Sequence, residues 1–291
     1  MPFRENVPLD PSQVEDRRGR GVGPGLAIGG GGIGLIVLML VAMLLGVDPS
    51  AVIGGVPTGQ PSSYAADAET TLQECQRGAD ANVRADCRVV GFVNSVQAFW
   101  RDEFARRGGT YQPTRTVQFS QATQTGCGTA TSAVGPFYCP DDRSVYLDLG
   151  FFDELHRRFG ASLGPLAEGY VVAHEYGHHV QGLTGALGGA AARDTGPGSR
   201  AVQTELQADC FAGVWARHAE ATGYLTPFTE QDLRDALETA AAVGDDRIQQ
   251  RTQGRINPET WTHGSSQQRQ QAFTQGYLTG DVAACARLGV G

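Results

Sequence analysis

The stretch EGYVVAHEYGHHVQGL at 168–183 constrains the fold more than any other part of this sequence. Its apolar and small residues favour a helix buried in the middle of a domain. His174 and His178 are four residues apart, so on a helix they project from the same face. Buried imidazoles and carboxylates need polar partners. The rest of the domain is therefore expected to surround this helix and to supply those partners.

Two histidines spaced in this way can both reach one Zn²⁺ ion. Glu175 is turned about 100° away from His174 on a helix. It would therefore lie beside the metal, where it can act as a general base on a zinc-activated water. The alternative is a surface helix that carries a histidine pair, and the apolar surroundings argue against it.

A third ligand is expected from TELQADCFAGVWARHAE at 204–220, in which Glu205 and Asp209 share one helix face. Two histidines and one glutamate leave a fourth position open, which is the catalytic arrangement of zinc. Asp209 would accept the free ring N–H of a zinc-binding histidine and so fix its orientation. The alternative is two solvated helix charges, but the apolar residues around them favour burial.

HEYGHHVQ followed by ELQADCFAGVWA resembles a bacterial family of neutral zinc metallopeptidases, a branch of the zincin-like proteins. The resemblance extends to VEDRRG at 14–19, GPFYCP at 135–140, VYLDLGFF at 145–152, and HGSS at 263–266 with Arg269. It implies a zincin-like fold and, by analogy to the E-x-x-x-D group, Glu205 as the third ligand. It does not imply a substrate.

Other polar residues allow two interpretations each. His263 either hydrogen-bonds the tetrahedral oxyanion or caps a helix together with its serine neighbours. Tyr146 and Tyr176 are either oxyanion donors or packing residues. His179 points off the ligand face, as a partner behind the metal site or a surface residue. The strand SVYLDL at 144–149 either pairs with a peptide substrate or is an ordinary sheet strand.

Composition shifts divide the chain into four parts. Residues 1–24 are polar and rich in arginine, 25–47 carry no charge, and 48–66 form a linker rich in Pro, Gly and Ser before a domain at 67–291. An uncharged run of about 20 residues can cross a bilayer, and the preceding arginines would hold the N-terminus in the cytoplasm. The domain would then be extracytoplasmic. A cleaved signal peptide is the alternative to this retained anchor.

The six cysteines include no C-x-x-C pair. Proximity favours Cys75–Cys87 and Cys127–Cys139, which leaves Cys210–Cys285 by elimination. Disulfides fit an oxidising compartment. Six buried free thiols are the alternative.

Apolar periodicity predicts an α+β fold, mostly helical with a small β-sheet. Strands are predicted at 115–120 and 144–149, with a hairpin or pinned loop at 126–140. Helices are predicted at 84–107, 150–159, 164–183, 199–222, 229–243 and 265–277.

The formal net charge of −8 argues against a general nucleic-acid binder. The leading hypothesis is a zinc peptidase of the bacterial cell membrane that cleaves peptide or protein substrates. One alternative is another zinc amide hydrolase of the cell envelope, because the motif specifies metal-activated water and not the substrate. The other is a non-catalytic envelope binding protein stabilised by zinc. The sequence gives no indication of oligomeric state.

Overall fold

A computed structural model describes residues 2–19, 72–161, 164–187, 194–286 and 288. Its strands are β1 (Val14–Asp16), β2 (Arg115–Phe119), β3 (Ala122–Thr125), β4 (Gly128–Thr131), β5 (Phe137–Cys139) and β6 (Ser144–Asp148). Its helices are α1 (Gly78–Val83), α2 (Ala85–Arg106), α3 (Gly150–Phe159), α4 (Pro165–Thr184), α5 (Arg200–His218), α6 (Glu230–Ala242), α7 (Asp245–Gln253), α8 (Ser266–Thr279) and α9 (Val282–Cys285). The α+β class expected from the sequence is confirmed.

The larger sheet has the order β1-β2-β6-β5, in which the first three strands are parallel and β5 is an antiparallel edge strand. Strands β3 and β4 form a separate hairpin. Both strands predicted by periodicity are confirmed, each ending one residue early. The segment 126–140 supplies β4 to the hairpin and β5 to the larger sheet, so it is neither a simple hairpin nor a loop.

One continuous core joins the sheet to α2, α4, α5 and α8. Trp100, Trp215 and Phe273 are all nearly inaccessible to solvent within it. Helices α5 and α8 approach closely at Gly276, where an added Cβ would lie 2.0 Å from the carbonyl oxygen of Cys210. A side chain at Gly276 would therefore force apart the helix that carries Glu205 and the helix that carries Arg269.

The predicted helices begin and end within about two residues of their observed bounds, with one exception. The stretch predicted as 199–222 leaves the α-helical form after His218, and Ala219–Thr222 is a 3₁₀ turn. Helix α7 is missing from the prediction because its sequence, DDRIQQRTQ, contains one strongly apolar residue and shows no periodicity.

Disulfides join Cys75 to Cys87, Cys127 to Cys139 and Cys210 to Cys285. All three predicted pairs are confirmed. The first ties the start of α2 to the turn before α1, and the second ties the β3–β4 hairpin to β5. The third joins the helix that carries Glu205 to the C-terminal helix α9.

Residues 2–19, which we call the N-terminal strap, pack into the domain that begins at residue 72. The Phe3 ring is 2% exposed and lies 4.9 Å, centroid to centroid, from the Phe92 ring. Two asparagines each bind both backbone groups of one strap residue: Asn82 binds the N–H and C=O of Phe3, and Asn94 those of Asp10. Strand β1 then extends the sheet through β2. The strap is therefore part of the domain.

This packing differs from the predicted separate segment at 1–24. A single membrane crossing between residues 19 and 72 would place the strap and the domain on opposite sides, whereas the structure has them in one fold. The predicted membrane helix at 25–47 and linker at 48–66 lie outside the described residues. Among the described helices, none combines the length and apolar character that a membrane span requires.

Candidate metal centre

Helix α4 carries the two histidines through the middle of the domain. Proline at its first position suits a helix start, and Gly185 ends it with a left-handed φ of 77°. His174 is 7% exposed, and the ring centroids of His174 and His178 lie 4.8 Å apart. Both imidazoles therefore leave the same face of a buried helix, as the spacing predicts.

Helix α5 packs against this face and brings in Glu205. The Oε2 atom of Glu205 lies 3.2 Å from Nε2 of His174, and Oε1 lies 3.4 Å from Nε2 of His178. Two ligand atoms bound to one tetrahedral Zn²⁺ at about 2.1 Å are about 3.4 Å apart. Each Nε2 atom is thus at zinc-ligand spacing from one oxygen of Glu205, and one ligand atom from each of the three residues lies within 4.8 Å of the other two. Three such ligands would leave one position of a tetrahedral zinc open.

The second nitrogen of each ring is bound to an oxygen on the protein. Nδ1 of His174 lies 2.8 Å from Oδ1 of Asp209, and Nδ1 of His178 lies 2.8 Å from Oε1 of Gln181. The Gln181 amide is fixed because its Nε2 donates to the Thr204 carbonyl and to Gln207. Each Nδ1–H therefore donates to an oxygen, which leaves both Nε2 lone pairs for a metal.

Charges in this buried cluster shift its pKa values strongly. Burial lowers the pKa of His174, but the charge and hydrogen bond of Asp209 outweigh it and raise the pKa to about 10. Burial raises the pKa of Glu205, yet His178 and His174 hold it well below its usual range. A proton and a metal ion therefore compete for the same Nε2 atom.

Glu175 is buried beside the ligands, 7% exposed. Burial raises the pKa of its carboxyl above the usual range, and the nearby His174 and His178 oppose that rise. A carboxylate with a raised pKa is a better proton acceptor near neutral pH than an exposed one.

His263 lies in the loop before α8. Its Nδ1 is 3.2 Å from Oδ1 of Asp245, while Oδ2 of Asp245 accepts the backbone N–H groups of Thr262, His263 and Gly264. Ser265, not His263, caps α8 by accepting the N–H of Gln268. Burial lowers the pKa of His263, but Asp245 and then the charge of Glu205 raise it above its usual value.

Three further residues complete the cluster and were not assigned a role from the sequence. Asp245 begins the polar helix α7, where nothing in the pattern marks it. Gln181 lies three residues after His178, on the same helix face, so that spacing was a usable signal. Arg269 was named only as part of the family resemblance, with no role. In the structure its Nε and Nη2 atoms donate to both oxygens of Asp209.

Other candidates from the sequence point elsewhere. The hydroxyl of Tyr176 lies 2.9 Å from Oγ1 of Thr116, and Tyr146 donates to Asp142, so both hydroxyls are engaged away from the ligands. His179 is buried with Nε2 on the Gln112 carbonyl and is not a surface residue. The strand SVYLDL is β6, whose edges are filled by β2 and β5, so it cannot pair with a substrate.

Comparison with known proteins agrees with this geometry. Residues 5–288 match the model of the family described as "Putative neutral zinc metallopeptidase". The chain belongs to this family. The family match includes the described part of the strap from Glu5 onward, as well as the two helices that carry the candidate ligands and the HGSS loop.

Bacterial relatives support the membership. A protein of Mycobacterium tuberculosis (strain ATCC 25618 / H37Rv) named "Uncharacterized protein Rv2575" is 53% identical over 251 residues, which cover 84% of each chain. "Uncharacterized protein YpfJ" of Escherichia coli (strain K12) is 40% identical over 289 residues, which cover 95% of each chain. No solved structure matches the chain.

Proposed function

We propose that this protein is a zinc-dependent peptidase with a zincin-like active site. The observation that carries the proposal is the meeting of His174, His178 and Glu205 at zinc-ligand spacing, with Glu175 buried beside them. The family name supports the same reading. A structural zinc site would normally be closed by a fourth protein ligand, whereas among the described residues this cluster offers three.

Zinc bound here would polarise the scissile carbonyl and lower the pKa of a nucleophilic water. Glu175 takes the proton from the attacking water and passes it to the leaving amine, a task that suits its raised pKa. With its Nδ1 held by Asp245, His263 presents Nε2 as a donor to the developing oxyanion.

An extended peptide is the substrate that the sheet favours. Strand β5 is an edge strand, and it lies next to α4: the hydroxyl of Tyr138 is 3.3 Å from Nδ1 of His179. A peptide that adds to β5 by backbone hydrogen bonds would run along the helix that carries the ligands. This role replaces the one considered for β6.

For location, we propose an extracytoplasmic compartment, because all six cysteines are paired in disulfides. The strap packs with the domain and would share that compartment. The anchor at 25–47 is predicted from the sequence alone, and it fits this proposal only if it leaves the strap and the domain on the same side of the membrane.

The test is the zinc content and peptidase activity of the full chain and two variants. We expect one zinc per wild-type chain, weak zinc binding in Glu205→Gln, and full zinc with activity reduced by about 10²–10⁴-fold in Glu175→Gln. Glu230→Gln, whose side chain is 93% exposed, is the matched control. A peptide library supplies the substrate. Zinc binding without cleavage of any peptide would favour another amide hydrolase or a binding protein.

A further inference from the structure

Arg269 lies inside the protein behind the candidate metal ligands and is 3% exposed. All three of its guanidinium nitrogens have acceptors. Nε and Nη2 donate to the two carboxylate oxygens of Asp209 at 2.8 and 2.9 Å, and Nη1 donates to the carbonyl of Val243 at 3.3 Å. A paired contact of this kind fixes both the position and the plane of a carboxylate.

Asp209 passes this constraint on to a metal ligand. Its Oδ1 atom accepts Nδ1–H of His174 at 2.8 Å and the hydroxyl of Tyr170 at 2.6 Å. The same tyrosine hydroxyl accepts from Nη2 of Arg269 at 3.2 Å. A continuous series of hydrogen bonds therefore runs from α8, through α5, to the His174 ring on α4.

Arg269 also supplies the partner that a buried carboxylate needs. Asp209 is fully buried, and both of its oxygens accept from the guanidinium. With Nδ1 of His174 held by Oδ1 of Asp209, the Nε2 atom of the ring lies 3.2 Å from Oε2 of Glu205.

We propose that Arg269 is a positioning residue for the metal centre: it holds the Asp209 carboxylate, and through it the His174 ring, in the orientation that binds zinc. It is not a ligand and does not touch a substrate. The inference rests on the proposed zinc site but makes a separate claim about this chain's own residues.

A positioning role and a purely electrostatic effect of Arg269 predict opposite changes in zinc affinity. Nη2 of Arg269 lies 4.0 Å from Oε2 of Glu205, so its positive charge also repels a cation bound by that carboxylate. If charge alone mattered, removing the guanidinium would tighten zinc binding. If positioning dominates, removing it weakens zinc binding.

The measurement is the zinc dissociation constant of the full chain by competition with a chelating dye. We expect Arg269→Gln to bind zinc about 10–100-fold more weakly than wild type. The zinc affinity of Arg269→Lys should lie between those of wild type and Arg269→Gln, since an ammonium keeps the charge but cannot hold both oxygens in one plane. Arg88→Gln is the matched control, because Arg88 makes a similar paired contact with Glu168 on α4, away from the ligands.

A double-mutant cycle tests whether Arg269 acts through Asp209. In an Asp209→Asn background, Arg269→Gln should add little further loss of zinc affinity. Full additivity, or zinc binding by Arg269→Gln as tight as wild type or tighter, would overturn the proposal. Circular dichroism and thermal unfolding check the fold, and Arg269→Lys carries the test if Arg269→Gln does not fold. A wild-type chain that binds no zinc would refute the zinc site itself.

Discussion

Gly177 of α4 faces Ala208 of α5 so closely that a Cβ added to the glycine would lie 3.0 Å from the Cα of Ala208. Gly177 stands between the two histidines of the candidate site, and Ala208 stands between Glu205 and Asp209. The contact therefore sets how closely the two helices bring the candidate ligands together. A glycine in the middle of a helix costs up to about 1 kcal/mol relative to alanine, and here the close approach explains its presence.

We expect Gly177→Ala to separate the two helices by a few tenths of an ångström and to destabilise the fold by about 1–3 kcal/mol through overpacking. Zinc affinity should fall as well, because Glu205 would move away from both histidines. Zinc titration and denaturant unfolding measure the two effects. Gly198→Ala is the control, since no atom of the described residues, apart from its chain neighbours, lies within 4 Å of its added Cβ. Equal zinc affinity in both variants would contradict this account.

We expect His263→Gln to keep zinc and to lower kcat by about 10²–10³-fold, the usual effect of losing one oxyanion donor. Asp245→Asn should also lower kcat, because an amide cannot replace the charge that orients the His263 ring. The fall should be smaller than in His263→Gln, because the imidazole itself is kept. Steady-state kinetics with zinc analysis measures both. An unchanged kcat in zinc-loaded His263→Gln would show that the residue only supports the loop.

The pH dependence of stability should report on Asp86, which binds Arg18 at 3.0 Å and Arg84 at 2.9 Å. Burial raises the pKa of Asp86, but the two arginines outweigh it and hold the pKa below its usual value. Because the folded-state pKa is lowered, this carboxylate stabilises the fold above its unfolded pKa of about 3.9, and the contribution is lost as the pH falls through the folded pKa.

Asp86→Asn should therefore be less stable than wild type at pH 7, and the difference should narrow below about pH 4. Urea unfolding over a pH series measures it, with the exposed Asp102→Asn as control. A difference that stays constant with pH would rule out the charge of Asp86 as its source.

The bond between Cys210 and Cys285 closes a loop with a sequence separation of 75. By the chain-entropy argument, replacing both cysteines with alanine should cost about 4 kcal/mol of unfolding free energy. The same change at Cys75 and Cys87, with a separation of 12, should cost about 3 kcal/mol. Denaturant unfolding compares them. A larger loss of unfolding free energy at the shorter loop would indicate that local packing, not loop length, determines how much each disulfide stabilises the fold.

The sequence predicted most residues of the candidate site because their signals are local. The spacings within His174–His178 and within Glu205–Asp209 are single helical turns, which periodicity reveals. Asp245 and Arg269 reach the same cluster from helices far along the chain, and no local pattern pairs them with it. The strap was missed for a similar reason: its strand β1 pairs with β2 about 100 residues later, a contact that sequence spacing does not encode.

The packing of the strap against the domain leads to a prediction about membrane topology. With tags before the strap and after the C-terminal residue, we expect protease added to spheroplasts to remove both or neither, because the strap and the domain share one fold. The arrangement expected from the arginine cluster, with the N-terminus inside and the domain outside, would expose one tag only. Removal of a single tag would show that the strap does not dock in the cell.

The strap also fixes when the protein can finish folding. Arg4 donates its Nε–H to the carbonyl of Leu225, at a sequence separation of 221. A ribosome adds about 5–20 residues per second, so roughly 10–45 s separate the synthesis of these two partners. The strap is thus made well before this partner and is among the last segments to reach its final place. Until then Phe3, which pairs with Leu225 in the folded protein, is not fully buried.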